Sequence, residues 1–154
     1  MNDLAQQVIA ACQGKFLCTA ESCTGGMIGA ALTGVPGSSR VFRGGIISYT
    51  NGVKSDLLGV SPQLLAEKGA VSSVVAEAMA KGANKALQAD VAVSVTGLAG
   101  PGGDEFGNPV GTVFVGYCDA YRCLSREYHF SGDRESVRFQ AVKAALSLVL
   151  EHNR

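Results

Sequence analysis

No excess of either charge marks this sequence: 13 basic residues stand against 13 acidic ones in a chain of 154. A module that grips nucleic acid ordinarily carries a strongly basic face, so no nucleic-acid partner is expected. The start, Met1-Asn2-Asp3-Leu4, lacks the basic cluster and apolar run of a signal peptide, and no apolar stretch approaches the length of a bilayer span. No membrane partner is expected, and a cytoplasmic location is. The five cysteines, Cys12, Cys18, Cys23, Cys118 and Cys123, form no Cys-x-x-Cys pair and have no histidine at zinc-ligand spacing. The expectation is therefore reduced, mostly buried thiols, with neither a zinc site nor a disulfide framework. Also missing in the right setting are Gly-x-x-x-x-Gly-Lys-Ser/Thr and Gly-x-Gly-x-x-Gly, which disfavours an ATPase or a dinucleotide-binding dehydrogenase.

What is present alternates between helical and strand patterns, in a length that suits a single domain over residues 1–154. Leu4, Val8, Ala11 and Cys12 recur at helical spacing before Gly14, and Phe16-Leu17-Cys18-Thr19-Ala20 reads as a buried strand. Met27 to Leu32 reads as a helix ending near Gly34. Gly44 to Thr50 has the β-branched and aromatic content of a strand, with Asn51-Gly52 as a turn beyond it. Ser61-Pro62 signals a helix start, a helix follows over Ser73 to Leu87, and Val91 to Val95 is a strand. A glycine-rich loop over 97–109 leads to two strands, Gly111 to Cys118 and Cys123 to Phe130, that suggest a hairpin. Asp133 can cap a last helix whose apolar face is Val137, Ala141, Ala144 or Ala145, and Leu148. The pattern predicts an α/β fold, a three-layer α/β/α sandwich around a mixed, mostly parallel sheet.

Glu21-Ser22-Cys23-Thr24-Gly25-Gly26 falls at the junction of a buried strand and a helix, where backbone N–H groups are unpaired. Such a place can hold a phosphate, or can stabilise the oxyanion formed when an amide carbonyl is attacked. Ser22 or Thr24 can equally be a simple helix cap there. A serine nucleophile needs a base. His152 is close to the C-terminus and His129 alternates with Tyr128 and Phe130 as an ordinary sheet residue would, which leaves Lys54 as the better candidate, with Tyr49 as a possible proton relay. Cys23 is the rival nucleophile, because a thiol at a helix start can be acidified. Arg134 and Arg138 stand one helical turn apart and can face one anion. Asp104 and Glu105 can bind a divalent cation or can be simply solvated.

Five blocks carry a resemblance: Thr19 to Gly26, Gly45 to Asn51 with Lys54, Thr96 to Pro101, Val110-Gly111-Thr112-Val113, and Phe130-Ser131-Gly132-Asp133-Arg134. In this order and at these separations they resemble the CinA C-terminal domain family over nearly the whole chain. The resemblance implies an anticodon-binding-domain-like α/β/α sandwich and nicotinamide-nucleotide amidase activity. That reaction converts nicotinamide mononucleotide and water into nicotinic acid mononucleotide and ammonia, in pyridine nucleotide salvage. It implies no metal and no organic cofactor, and a small-molecule nucleotide as partner. By position it implies Ser22 as nucleophile, Lys54 as base and Tyr49 in proton transfer. Glu21 is expected to orient the motif, and Glu21, Thr24, Gly25, Gly26, Thr96 and Arg134 are expected at the substrate. A homodimer is the expected assembly.

Overall fold

The computed structural model describes residues 1–154. Its elements in chain order are α1 (Asn2–Ala11), β1 (Leu17–Glu21), α2 (Met27–Thr33), a 3-10 turn (Ser38–Arg40), β2 (Phe42–Ile47), α3 (Asn51–Leu58), α4 (Pro62–Lys68), α5 (Ser73–Leu87), β3 (Val91–Gly97), β4 (Thr112–Cys118), β5 (Cys123–His129) and α6 (Arg134–Asn153). One sheet has the order β2-β1-β3-β4-β5. β1 pairs in parallel with β2 and β3, whereas β4 runs antiparallel to β3 and β5 antiparallel to β4. Four of the five strands thus run one way, while the pairings divide evenly between parallel and antiparallel.

Helices cover both faces. Leu17 of β1, Val91, Val93 and Val95 of β3, and Val113, Val115 and Tyr117 of β4 pack under α1, α2 and α6. The alternate residues Cys18, Ala20, Ala92 and Cys118 face α5 and the ends of α3 and α4. Strand residues alternate between faces because the side-chain period is two, and β1, β3 and β4 are buried because both faces are covered. The α5 face is lined by small residues. The hydroxyl of Ser94 donates to the carbonyl of Ala76 at 2.5 Å, and a Cβ at Gly116 would run into that same carbonyl. No helix is long and apolar enough to cross a membrane.

Two expectations need correction. Asn51-Gly52 is not a turn beyond a strand. β2 stops at Ile47, and Thr50 is the N-cap of α3, its hydroxyl accepting from Val53 N–H, so Lys54 stands on a helix. Nor are all five cysteines reduced. Cys118 and Cys123 face each other directly across the β4–β5 hairpin, Cα atoms 4.1 Å apart, and are joined as a disulfide. Residues opposite in antiparallel register come this close whatever their spacing in sequence. Cys12, Cys18 and Cys23 are free and buried.

Candidate active site

β1, β2 and β3 run in parallel; β1 and β2 end together at Glu21 and Ile47, in register with Val95, two residues before the end of β3. Carboxyl ends of neighbouring parallel strands are where open α/β sheets bind ligands. Two backbone hydrogen bonds carry this register past the strand ends: Ser22 N–H donates to Val95 O at 3.0 Å, and Ser48 N–H to Glu21 O at 2.8 Å. Ser22 and Ser48 are thereby fixed side by side. About one turn into α3, Lys54 points back under them.

Lys54 is 1% exposed. Its ammonium nitrogen lies 3.0 Å from Ser22 Oγ, 2.8 Å from Ser48 O and 3.2 Å from Tyr49 O. The ion pairs of the molecule all lie elsewhere, so no carboxylate compensates it. Burial lowers its pKa to about 8, opposed in part by the neighbouring Cys23 sulfur. The geometry decides what each protonation state does. A neutral amine has two N–H bonds, which two carbonyl acceptors satisfy, and its lone pair is left for the proton of Ser22. Lysine at this depth, on a serine and without an acid partner, has the makings of a general base.

Glu21 is buried too, but to another end. Its carboxylate accepts five hydrogen bonds: from the hydroxyls of Thr19 (3.3 Å) and Thr24 (2.8 Å), and from the N–H groups of Gly26 (3.2 Å), Ile28 (2.9 Å) and Gly29 (2.9 Å). It caps α2 from inside. This corrects the expectation for the loop: the N–H groups of Gly25 and Gly26 are not free for a substrate oxygen, since Gly25 N–H donates to Ser22 O and Gly26 N–H to Glu21. Thr24 is fully buried with its hydroxyl on Glu21, so Glu21, Thr24, Gly25 and Gly26 shape the loop and do not line the cavity. No backbone carbonyl accepts from Cys23 N–H, and Cys23 does border the cavity.

That cavity, of about 480 Å³, has Ser22, Lys54 and Thr96 among its lining. Leu65, Gly69, Val71, Leu98 and Phe106 contribute its apolar part, and Tyr49, Asn51 and Arg134 its polar part. Thr96 is present as expected, its hydroxyl donating to Ala70 O at 2.8 Å. Arg134 donates to Gly100 O at 2.6 Å and to the Tyr49 hydroxyl at 3.4 Å. Tyr49 is 60% exposed, and only its carbonyl meets Lys54. The phenol therefore stands with Arg134 and makes no hydrogen bond to Ser22 or Lys54, so the geometry does not supply the expected relay. Arg134 and Arg138 do not share an anion either: Arg138 donates to the carbonyls of Cys23 (2.9 Å) and Thr24 (3.4 Å), tying the serine loop to α6.

Cys23 is buried and its thiol is pushed up to about 11 by that burial, with Arg138 and Lys54 only partly opposing. It packs in the core under α2 and α6, which makes it a poor nucleophile. Asp104 is occupied by its own loop, accepting from Phe106 N–H, Asn108 N–H and the Asn108 amide. The loop is anchored through Asn108, whose amide donates to Val71 O at 3.2 Å. Ser48, Gly100, Asn51 and Phe106 were given no role from sequence, although the first three lie in the blocks that carry the resemblance. Ser48 and Gly100 act through carbonyl oxygens, which every residue has, and Asn51 was hidden by its reading as a turn.

The fold and site define a three-layer α/β/α domain with a buried serine–lysine pair at the carboxyl ends of its parallel strands. Residues 1–152 match the model of the CinA C-terminal domain, and the chain belongs to that family. It is 50% identical over 134 residues to a CinA-like protein of Geotalea daltonii, covering 87% of this chain and 32% of that protein. A CinA-like protein of Geobacter metallireducens is likewise 50% identical, over 125 residues. The chain spans about a third of the length of these curated relatives. Among solved structures it superposes on the competence/damage inducible protein CihA from Agrobacterium tumefaciens with a TM-score of 0.95 at 39% identity, covering 99% of this chain and 95% of that one. The CinA superfamily protein ECK1530/EC0983 from Escherichia coli gives 0.91 at 38% identity, covering 98% and 87%.

Proposed function

We propose that this domain hydrolyses the carboxamide of nicotinamide mononucleotide, giving nicotinic acid mononucleotide and ammonia, with Ser22 as nucleophile and Lys54 as base. The observation that carries the reading is the buried Lys54 nitrogen, 3.0 Å from Ser22 Oγ and without a carboxylate partner. Neutral Lys54 accepts the Ser22 proton as Oγ attacks the carboxamide carbon, and Cys23 N–H is the donor next to the developing oxyanion. The C–N bond then breaks as Lys54 returns the proton to the leaving nitrogen. Water attacks the resulting serine ester with Lys54 again as base, which frees the carboxylic acid and restores the hydroxyl.

The cavity supports a mononucleotide in size and in the division of its lining. A pyridine ring suits Leu65, Val71 and Leu98, and a ribose phosphate suits Asn51 and Arg134, the exposed cation at the rim. Binding energy from that remote phosphate can hold the amide against Ser22. The reaction calls for no metal and no organic cofactor.

The test is ammonia release from nicotinamide mononucleotide by the purified protein, with chelator present and with Ser22→Ala alongside. Release that the variant loses while still binding nucleotide supports the reading. Tight binding by the unmodified protein with no ammonia would make this a nucleotide-binding domain instead, and substantial turnover by Ser22→Ala would remove Ser22 from its role.

A further inference from the structure

The proposed substrate differs from most carboxamides in one elementary respect. Its ring nitrogen carries the ribose, so the ring is a permanent cation, and that charge must enter a cavity bordered by a buried lysine.

Nothing beside Lys54 offsets a second positive charge. The groups facing its nitrogen are the Ser22 hydroxyl and the carbonyls of Ser48 and Tyr49, with the Cys23 thiol close by. The nearby Glu21 carboxylate is held by five donors at the start of α2. The two carboxylates in the cavity lining, Asp104 and Glu105, make no hydrogen bond or ion pair with Lys54, and Arg134 adds another cation. Two like charges in one cavity repel, and water screens that repulsion least where one of them is buried, as Lys54 is. The ring cannot shed its charge and neither can arginine, whereas Lys54 can.

Resting on the substrate reading above, we propose that the ring charge of the substrate itself drives the proton off Lys54. A cationic N-ribosyl pyridinium carboxamide thereby creates the base that activates its attacker, while a neutral carboxamide of the same shape leaves the ammonium in place. The proton leaves to solvent through the open cavity. The two remaining N–H bonds stay on Ser48 O and Tyr49 O, and the lone pair turns to Ser22. Burial already holds Lys54 near neutrality, at about 8, so a modest repulsion completes the change. The device is also selective, since a neutral amide binds without arming the nucleophile.

The experiment is titration calorimetry on the Ser22→Ala protein near pH 7, in buffers of different ionisation enthalpy. It compares nicotinamide mononucleotide with its 1,4-dihydro form, which keeps the ribose phosphate but has a neutral ring. The cationic nucleotide should release more protons than the dihydro form, by a large fraction of about one proton per site. The excess should fade above about pH 8, where Lys54 is already neutral in the free protein, and should vanish when Lys54→Met is added. Equal release by the two nucleotides overturns the inference while leaving the substrate reading intact. Failure of nicotinamide mononucleotide to bind overturns the substrate reading, and the inference with it.

Discussion

Glu21 and Lys54 are both buried and lie on either side of Ser22, yet the protein treats their charges in opposite ways. Glu21 is surrounded by donors, three of them backbone N–H groups of the first turn of α2. Lys54 has two carbonyls, one hydroxyl and no counter-ion. A carboxylate that accepts from five donors is a structural anchor, because its loss leaves several buried groups unpaired. A charge that is undercompensated is poised to change state, which is what proton transfer requires. The loop between them is thus held at one end by a carboxylate built for permanence and served at the other by an amine built for turnover.

The sharpest way to break this contrast is to remove each side chain in turn. Lys54→Met should lower kcat by roughly 10²–10⁴-fold, the usual contribution of a positioned base, without collapsing the fold. Glu21→Gln should do the reverse in kind. It places an amide NH2 among N–H donors, so at least one of them loses its acceptor, and urea denaturation should report a loss of about 2–4 kcal/mol. If Lys54→Met unfolds the protein while Glu21→Gln merely slows it, the roles assigned here are exchanged.

A pH series sharpens the same point. The pKa of Lys54 is depressed in the folded protein, from 10.5 to about 8, so between these values the unfolded chain binds more protons than the native one. Stability from this group is therefore complete above 10.5 and is lost as pH falls through 8. Relative to Lys54→Met, the unmodified protein should gain roughly 3 kcal/mol between pH 7 and 10.5, read as the difference between two denaturation series. A flat difference would mean that the buried amine is compensated after all. In kcat/KM the same group should appear as an ascending limb near pH 8, since the neutral form is the base.

The alternation of strands and helices was legible because burial on both faces writes continuous apolar runs into β1, β3 and β4. The place of Ser22 between a buried strand and a helix was legible, but that place suits a simple helix cap as well, and both Ser22 and Lys54 were singled out through resemblance, since a lysine after Asn-Gly looks like a solvated loop. Less legible was anything that depends on which N–H groups are left over. Gly25 and Gly26 look like an anion site until Glu21, only four residues before Gly25, is seen to turn its carboxylate into their helix. Tyr49 was a similar case. Its closeness to Lys54 in sequence is real in space, but it is the carbonyl that points inward and the phenol that stands with Arg134. The Cys118–Cys123 pair was hidden in the register of a hairpin.

The smallest expected effect tests the choice between two adjacent nucleophiles. Ser22 and Cys23 both border the cavity, but Lys54 is hydrogen-bonded to the serine, while the thiol packs into the core and is held protonated by burial. Cys23→Ala removes a single buried sulfur, so it should cost about 1 kcal/mol of stability and leave kcat within a few-fold of the unmodified protein. Alkylation should agree: a maleimide should react with Cys23 slowly at neutral pH, since little thiolate is present and the sulfur is covered. Rapid labelling that abolishes turnover, together with an inactive Cys23→Ala, would make the thiol the nucleophile, and Lys54 would then have to be reassigned as its partner.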